Sequence, residues 1–384
     1  MAFQFLMPAK ILVGEGALDQ AVPVWKQMGT KALIVTDQSM VTLGNVARLE
    51  QLLKEAGIVS VVYPDINGEP TDVMIEAGLA LYQAEHCDFL IGLGGGSPLD
   101  SMKAIGALAT NGGKITDYMG REIEKAAPPM TAIPTTAGTG SEATQFTIIS
   151  DTKRNIKMLL KGRVLIPDLA IVDPQFTLSA PKNITASTGM DAFTHAVEAY
   201  TSKKATKLSD TFAVSAIKRI VKNLPIVYKD GTDQEAREEM AIAALEAGIA
   251  FNNASVTVVH GMSRPIGALF HVPHGISNAM LDEVCFAYVL DGAYDRFGQL
   301  AREIGAAGLS DEDHQAAEKF LETVRALCRV CEIPTLKEYG IDQEEFFRNL
   351  DKMAGDAMES GSPSNTRKTL YKEDLIQIYK SLWE

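Results

Sequence analysis

The first half of the chain alternates short apolar runs with amphipathic helical patterns, and this alternation strongly limits the possible folds. Five runs rich in β-branched residues are predicted strands, at residues 31–37, 59–65, 87–95, 128–136 and 169–174. Helical patterns at 45–57 and 71–85 lie between several of them. Short buried strands that alternate with helices predict βαβ units and a mostly parallel sheet. We therefore predict an α/β domain over residues 1–184.

Two later segments follow different patterns. Residues 146–160 contain two apolar runs around the polar sequence SDTKRN, which predicts a β-hairpin. Beyond residues 181–187 almost all the periodicity is helical, for example at 209–224 and 235–251. The sequence therefore predicts an all-α domain over residues 185–384. Two domains also agree with a length of 384 residues, which exceeds that of one ordinary core.

Four potential metal ligands lie in two short stretches of the predicted helical domain. They are Asp191, His195, His260 and His274, in a chain that has only six histidines. Asp191 and His195 are spaced i, i+4 and so share one face of a helix. Three imidazoles and one carboxylate suit Fe²⁺ or Zn²⁺ better than Mg²⁺ or Ca²⁺. An isolated histidine is more often a core or cap residue, but this cluster predicts a divalent metal site.

A glycine cluster directly after the third predicted strand is a candidate phosphate site. Gly94, Gly95, Gly96 and Ser97 precede a helical pattern that carries Asp100 in its first turn. Glycine lets a backbone approach a phosphate closely, and the free N–H groups of a helix start attract anions. The spacing matches neither the Rossmann fingerprint nor the P-loop, so the cluster alone is equally compatible with a tight turn.

Two further features favour a dinucleotide. A glycine- and hydroxyl-rich loop at 135–142 follows another strand, and ligands of open α/β sheets gather at the carboxyl ends of strands. Asp37 ends the first predicted strand and is a candidate hydrogen-bond acceptor for ribose hydroxyls. A carboxylate there would repel a 2′-phosphate, which favours NAD over NADP. A role of Asp37 as a helix N-cap remains equally open.

Composition restricts the partners and the compartment. The net charge of −13 argues against nucleic acid or an anionic membrane as a partner. The sequence contains no run of 18 apolar residues and no basic segment before an apolar one at its start. Four cysteines do not make a disulfide framework, and Cys328 and Cys331 lie in an amphipathic helical pattern. We expect inert thiols and a reducing, cytoplasmic location.

Taken together, these motifs resemble the iron-containing alcohol dehydrogenase family, which includes lactaldehyde reductases and propanediol dehydrogenases. The likeness runs nearly from end to end through PAKILVGEGAL, GGGSPLDSMKA, PTTAGTGSE, IPDLAIVDP, GMDAFTHAVEAY, and VVHGM followed by PHG. The resemblance implies an N-terminal dinucleotide-binding domain, a helical domain, NAD, and one Fe²⁺ with Zn²⁺ as the alternative. It also implies a small alcohol or aldehyde as substrate, and a homodimer.

Residue by residue, the resemblance assigns roles to several groups of side chains. The implied metal ligands are Asp191, His195, His260 and His274. The implied cofactor residues are Asp37, Gly94, Gly95, Gly96, Ser97, Asp100, Thr135, Thr136, Thr139, Lys157 and Leu178. Phe146 and Phe251 correspond to substrate-pocket positions.

The chain departs from the family pattern at two places. Arg264 stands where several relatives carry a histidine that is often assigned to proton transfer, so that role cannot simply be carried over. His271 is a candidate substitute, and a role in supporting the metal ligands is equally open. Glu69 replaces an asparagine that precedes Pro-Thr in some relatives. Arg264 and His271 are the two candidate catalytic residues, and of these His271 is the candidate for proton transfer.

Three other classes of protein compete with an NAD-dependent alcohol dehydrogenase. Dehydroquinate synthases also pair NAD with a divalent metal, but they look like lyases, return the cofactor unchanged and need a basic pocket. A metal-dependent hydrolase would not need two glycine-rich loops at strand ends. A non-catalytic nucleotide-binding protein would have little reason to keep four metal ligands. Net formation of NADH from an alcohol separates all of these from the predicted oxidoreductase.

Overall fold

The computed structural model describes residues 2–154 and 156–383, which fall into two compact units. The first unit is Met1–Ser179 and the second is Ala180–Glu384. The boundary predicted from the sequence, between residues 184 and 185, lies a few residues later and stays a prediction.

The first unit is built on a parallel sheet of six strands. The described strands of this unit are β1 (Lys10–Val13), β2 (Lys31–Val35), β3 (Val59–Tyr63), β4 (Phe89–Gly94), β5 (Met130–Pro134), β6 (Phe146–Asp151), β7 (Ile156–Lys161) and β8 (Leu169–Val172). Strands β6 and β7 form a separate two-stranded sheet, and the other six form the parallel sheet. The order in the sheet is β1-β8-β5-β4-β2-β3, and every neighbouring pair is parallel. The predicted α/β fold is therefore confirmed. Among the strands that the structure describes, the edge strand β1 alone was not predicted, because its end residues Lys10 and Val13 are exposed and it lacks the fully buried apolar run of β8.

Helices cover both faces of this sheet. They are α1 (Val22–Met28), α2 (Gln38–Thr42), α3 (Asn45–Glu55), α4 (Asp72–Ala84) and α5 (Gly96–Asn111). Along β2, Leu33 and Val35 pack in one apolar core while Ala32 and Ile34 pack in a second core. Successive side chains of a strand alternate between faces, so a strand covered on both sides must be apolar throughout. This explains the continuous apolar run from which β2 was predicted.

The predicted hairpin is present as the antiparallel pair β6–β7. The pairing extends from Phe146 opposite Lys161 to Asp151 opposite Ile156. Asn155, in the predicted turn, lies outside the described residues. The backbone N–H of Ser150 donates to the carbonyl of Pro70 at 2.8 Å, so the hairpin is tied to the segment before α4.

The second unit is helical in all of its regular structure that the described residues show. Its helices are α6 (Lys182–Thr201), α7 (Lys207–Lys229), α8 (Gln234–Ala254), α9 (Val258–Phe270), α10 (His274–Val289), α11 (Tyr294–Glu303), α12 (Asp313–Val330), α13 (Leu336–Tyr339), α14 (Gln343–Arg348), α15 (Leu350–Glu359) and α16 (Lys372–Ser381). This confirms the predicted all-α architecture. The thiols of Cys328 and Cys331 are free, and both residues lie at the end of α12, as their pattern predicted.

A helix that crosses a bilayer must be both long and apolar, and the helices of the described residues differ in these two properties. No single helix is both long and apolar enough to cross a bilayer. The consecutive pair α8 and α9 passes the same test of length and composition together, with a bend of 104° between the two helices.

Candidate metal and nucleotide sites

Helix α6 supplies the first two predicted metal ligands from a fully buried stretch. Almost every residue from Thr185 to Thr201 is buried, so this helix lies in the protein interior. Asp191 and His195 are 2% and 5% exposed. A carboxylate and an imidazole one turn apart, both removed from water, need partners in the interior. The neighbouring helices provide these partners.

Helices α9 and α10 bring the other two histidines to the same place. His260 lies in the first turn of α9, and His274 is the first residue of α10. The Nε2 atoms of both lie 3.7 Å from Asp191 Oδ1, and His195 Nδ1 lies 3.9 Å from that oxygen. Donor atoms in a tetrahedral site with bonds of about 2.1 Å are roughly 3.4 Å apart. Each of the three histidines therefore places a ring nitrogen near Asp191 Oδ1, at slightly more than this spacing.

Glu198 fixes the orientation of His260. This carboxylate, fully buried on α6, accepts from His260 Nδ1 at 2.6 Å, from the Val259 backbone N–H at 2.6 Å and from Thr257 Oγ1 at 2.7 Å. With Nδ1 bound to Glu198, Nε2 of the same ring is directed at Asp191. Histidine ligands of metals characteristically have such a carboxylate behind them, because it sets the tautomer and the ring angle.

The electrostatics of the cluster favour a positive charge. Burial opposes protonation of His260, but Glu198 and Asp191 outweigh it and raise the pKa of His260 to about 9. Burial likewise opposes ionisation of Asp191, yet the surrounding histidines hold the pKa of its carboxyl well below the usual range. Burial lowers the pKa of His195 to about 3, so its ring is neutral. Two buried carboxylates, Asp191 and Glu198, therefore make this point electrostatically favourable for a positive charge.

One buried atom of the cluster has no protein partner. Asp191, His195 and His260 can each offer a donor atom to one ion, since these atoms lie within 4.8 Å of one another. Within the described part of the chain, His195 Nδ1 is buried and makes no hydrogen bond. A buried polar atom without a partner calls for an explanation such as an ion. The donor set, its spacing and its charge therefore fit a divalent metal.

The nucleotide candidates meet at one edge of the parallel sheet in the first unit. From β2 the chain proceeds to β3 on one side and then crosses to β4 on the other side. The carboxyl ends of β2 and β4 consequently flank a topological switch point, where open α/β sheets bind their ligands. Asp37 follows β2, and Gly94 to Gly96 end β4 and begin α5. The predicted phosphate loop and the predicted ribose acceptor are thus neighbours.

Asp37 is the helix N-cap that its sequence position suggested as one alternative, and its contact with a ribose stays a prediction. Its Oδ1 caps α2 by accepting from the backbone N–H of Ser39 at 2.8 Å and of Met40 at 3.1 Å. Its Oδ2 faces Gly94, and a Cβ atom built on that glycine would lie 3.2 Å from it. Gly94 has a φ of 153°, and the same Cβ would collide with Pro98 at 2.5 Å. Only glycine fits between the capped carboxylate and the helix start.

The two glycine-rich loops lie against each other. A Cβ atom on Gly96 would lie 2.9 Å from Thr139 Cγ2, and one on Gly95 would lie 3.6 Å from Thr136 Cγ2. The backbone N–H of Thr135 donates to the Gly94 carbonyl at 3.0 Å, which ties the ends of the two strands together. The loops therefore form one concave backbone surface at the start of α5, suited to a phosphate group.

The chain matches the profiles of one protein family, and several known proteins, over nearly its whole length. The sequence profile of the iron-containing alcohol dehydrogenases matches residues 8–174, and the profile of the family's C-terminal part matches residues 185–383. The chain is 37% identical to the NAD-dependent methanol dehydrogenase of Bacillus methanolicus, over 98% of this chain and 99% of that protein. It is 38% identical to the 1,3-propanediol dehydrogenase of Citrobacter freundii, covering 98% of each.

A solved structure of a 1,3-propanediol oxidoreductase superposes with a TM-score of 0.96 and 34% identity, over the full length of both chains. The chain belongs to the iron-containing alcohol dehydrogenase family. The predicted family and enzyme class are therefore confirmed.

In this dehydrogenase both carboxylate oxygens of Asp100 accept hydrogen bonds from the protein itself. Its Oδ1 accepts from Ser141 Oγ at 2.6 Å and its Oδ2 accepts from the Ile148 backbone N–H at 2.8 Å. Nearby, Lys103 is completely buried and donates to the carbonyls of Thr144 at 3.0 Å and Phe146 at 2.9 Å. Burial lowers the pKa of Lys103 to about 8. Both side chains hold the second loop and β6 onto α5, so the predicted cofactor contact of Asp100 stays a prediction.

The other predicted cofactor and pocket residues of this dehydrogenase are divided between the two units. Lys157 Nζ forms an ion pair with Glu69 Oε1 at 2.5 Å, and Leu178 ends a short 3-10 helix after β8. Phe146 begins β6 in the first unit. Phe251 lies in the second unit, where its ring stacks on His195 with centroids 4.1 Å apart. An aromatic wall directly beside a metal-ligand candidate agrees with a pocket role for Phe251.

The two candidate catalytic residues have different environments. Arg264 lies one turn after His260, and its Nη1 donates to Ser362 Oγ at 3.1 Å. Burial lowers the pKa of its guanidinium, although Glu198 acts in the opposite direction. His271 is exposed and ends α9 in a left-handed conformation, with a φ of 56°. Their roles remain predictions.

Sequence reasoning missed several polar residues around the metal ligands. Glu198 lies seven residues after Asp191 on the same helix, a spacing that would have indicated a shared face. Asn278 follows His274 by four residues, which repeats the spacing of Asp191 and His195. Asp282 is fully buried, and burial raises its pKa well above the usual value. No local pattern announces such a side chain, because its burial depends on how the helices pack.

Proposed function

We propose that this protein interconverts small primary alcohols or diols and the matching aldehydes by hydride transfer with NAD, with one Fe²⁺ in the cluster of Asp191, His195, His260 and His274. NAD and iron as cofactors are confirmed at the level of the family and its NAD-dependent relative. The observation that carries the proposal is the occurrence, in one chain, of a buried cluster of Asp and His donor atoms and of a glycine-rich strand edge at a topological switch point.

In this proposal, residues of the first unit bind the different parts of NAD. Asp37 accepts from the adenosine ribose, and the backbone of Gly95, Gly96 and Ser97 contacts the pyrophosphate. Thr135, Thr136, Thr139, Lys157 and Leu178 complete the cofactor contacts. NAD, when bound, accepts or donates the hydride. The cation, when bound, acts as a Lewis acid that stabilises negative charge on the substrate oxygen.

In the helical unit, Asp191 supplies a fixed negative charge because its pKa is far below neutrality. Glu198 holds His260 with Nε2 directed at Asp191. Phe251 covers one face of His195 and keeps that ring from turning into water. Phe146 and Phe251 favour a small and fairly apolar substrate, His271 is the candidate for moving the hydroxyl proton, and Arg264 is the second candidate catalytic residue. We place the enzyme in the cytoplasm as a homodimer.

The decisive experiment follows NADH absorbance with short primary alcohols, 1,2-diols and 1,3-diols. The protein is stripped of metal and then reconstituted anaerobically with Fe²⁺ in one sample and Zn²⁺ in another. We expect turnover only in the reconstituted samples, and the better metal and alcohol identify the working pair. Bound NAD and bound metal without net NADH from any alcohol would overturn the proposal and favour a lyase that returns its cofactor unchanged.

A further inference from the structure

Asn278 lies among the predicted metal ligands although no sequence pattern assigned it a role. It is fully buried on α10, one turn after His274. Its Nδ2 atom lies 2.8 Å from Asp191 Oδ1, 3.2 Å from His260 Nε2 and 3.2 Å from His274 Nε2. One amide nitrogen therefore contacts three of the four candidate ligand atoms.

The NH₂ group of Asn278 has fewer hydrogens than it has close polar neighbours. An asparagine NH₂ group has two hydrogens, so it cannot donate to all three of its neighbours. In addition, Asn278 Oδ1 is buried and accepts no hydrogen bond from any residue that the structure describes. Buried carbonyl oxygens in native proteins nearly always have a partner. The Asn278 NH₂ group therefore has three close polar neighbours, whereas its Oδ1 atom has no hydrogen-bond donor among the described residues.

A cation at the cluster would reverse the preferred direction of the amide. The NH₂ hydrogens carry partial positive charge, so a divalent ion held by Asp191 and the histidines repels them. A half turn of the amide exchanges nitrogen for oxygen with almost no change of shape, because the two ends are nearly isosteric. The unused Oδ1 would then face the ion, and amide oxygen is an ordinary ligand of hard and borderline cations.

We infer that Asn278 is a positioning residue of the metal centre, with two orientations of its side-chain amide. In one orientation the NH₂ group lies within hydrogen-bond distance of Asp191, His260 and His274 and donates to two of them. When the ion binds, the amide turns and its carbonyl oxygen faces the ion as an additional oxygen donor. The inference rests on the proposed metal site, but it does not depend on the proposed substrate or on NAD.

Replacing Asn278 by leucine and by aspartate separates an oxygen donor from a filler of space. Leucine keeps the approximate volume without any polar atom, whereas aspartate keeps both the shape and an oxygen. The affinity for Co²⁺ is measured by chelator competition, together with the visible spectrum of the bound Co²⁺ and the unfolding temperature of each metal-free variant. Asn223→Leu is the matched control, because Asn223 is a buried asparagine of the same unit that bonds only within α7, to the Arg219 carbonyl.

We expect N278L to bind Co²⁺ about 10- to 100-fold more weakly than the parent, with a changed visible spectrum. N278D should bind at least as tightly as the parent, and N223L should bind unchanged. If N278L fails to fold, the comparison of N278D with the parent still decides, because an equally large loss in N278D contradicts an oxygen donor. Unchanged or tighter binding by N278L would overturn the inference. A parent chain that binds no Co²⁺ would overturn the metal site itself, whereas failure of alcohol turnover alone would not.

Discussion

The metal centre and the nucleotide edge are built on opposite principles. At the metal centre the contacts come from polar side chains that are almost completely removed from water, among them Asp191, Glu198, His260 and Asn278. At the nucleotide edge the surface consists mainly of backbone, and the important positions are those where a side chain is absent. A Cβ atom on Gly94 or Gly96 would approach its neighbours to 2.5 or 2.9 Å.

This difference determines how each site responds to change. Removing one buried charge leaves its partner unpaired in the interior, which costs far more than losing an exposed contact. Adding one methyl group to the glycine-lined backbone surface pushes a neighbouring side chain aside, which weakens cofactor binding without abolishing it. We therefore expect large, all-or-none effects at the metal centre and graded effects at the nucleotide edge.

The largest effect is expected from His260→Ala. This change removes one ligand and leaves Glu198 buried without its main partner, so metal binding and turnover should both be abolished. Bound metal is measured by elemental analysis after gel filtration, and turnover by NADH absorbance. His314→Ala is the control, because His314 is an exposed histidine of α12. Full activity in a metal-free H260A protein would show that turnover does not need the metal centre.

Glu198→Gln tests whether the support behind a ligand matters as much as we infer. The amide keeps the shape of the carboxylate but loses its charge, so the orientation and basicity of His260 should both suffer. We expect metal affinity to fall about 10- to 100-fold. Glu246→Gln, at a partly buried glutamate of α8 paired with Arg219, should leave metal affinity unchanged. Equal affinities in E198Q and the parent would show that the orientation of His260 is set elsewhere.

Gly96→Ala introduces the first side-chain atom into the glycine-lined backbone surface. Because its Cβ would lie 2.9 Å from Thr139 Cγ2, the second loop must shift, and the KM for NAD should rise about tenfold. Metal content should stay that of the parent, in contrast to the two changes above. Gly355→Ala in α15, where the nearest atom to a new Cβ is 3.9 Å away, is the control. A loss of metal in G96A would contradict the independence of the two sites.

Asp37→Gly should give the smallest effect. Glycine is tolerated at a helix N-cap, so the main loss is the negative charge beside the ribose. Removal of about 1 kcal/mol of repulsion corresponds to roughly fivefold better use of NADP. Asp342→Gly, at the N-cap of α14, controls for the capping loss. Unchanged kinetics with NADP in D37G would show that Asp37 acts only as a cap.

Sequence patterns predicted the sheet and the four ligand candidates because both depend on local regularities. Apolar runs reveal strands that are covered on both faces, as in β2, and the i, i+4 spacing places Asp191 beside His195 whatever the rest of the fold. The roles of Asp100 and Lys103 were not accessible in this way. Their partners, Ser141 and Thr144, lie about forty residues further on, and only the packing of the second loop on α5 brings them together.

The same limit applies around the metal. Asn278 and Asp282 follow the PHG motif on α10, yet their contacts with Asp191 and Thr194 cross from one helix to another. Such contacts follow from helix packing, for which a single sequence gives no register. The family resemblance supplied the ligands and the cofactor, but it said nothing of the polar residues that are particular to the support of this site.

Anomalous X-ray diffraction at the iron edge, from crystals of the protein reconstituted anaerobically with Fe²⁺, tests the central claim most directly. The account predicts one strong anomalous peak among Asp191, His195, His260 and His274. A peak bound elsewhere, or four unligated side chains in a protein that turns over alcohol, would contradict it.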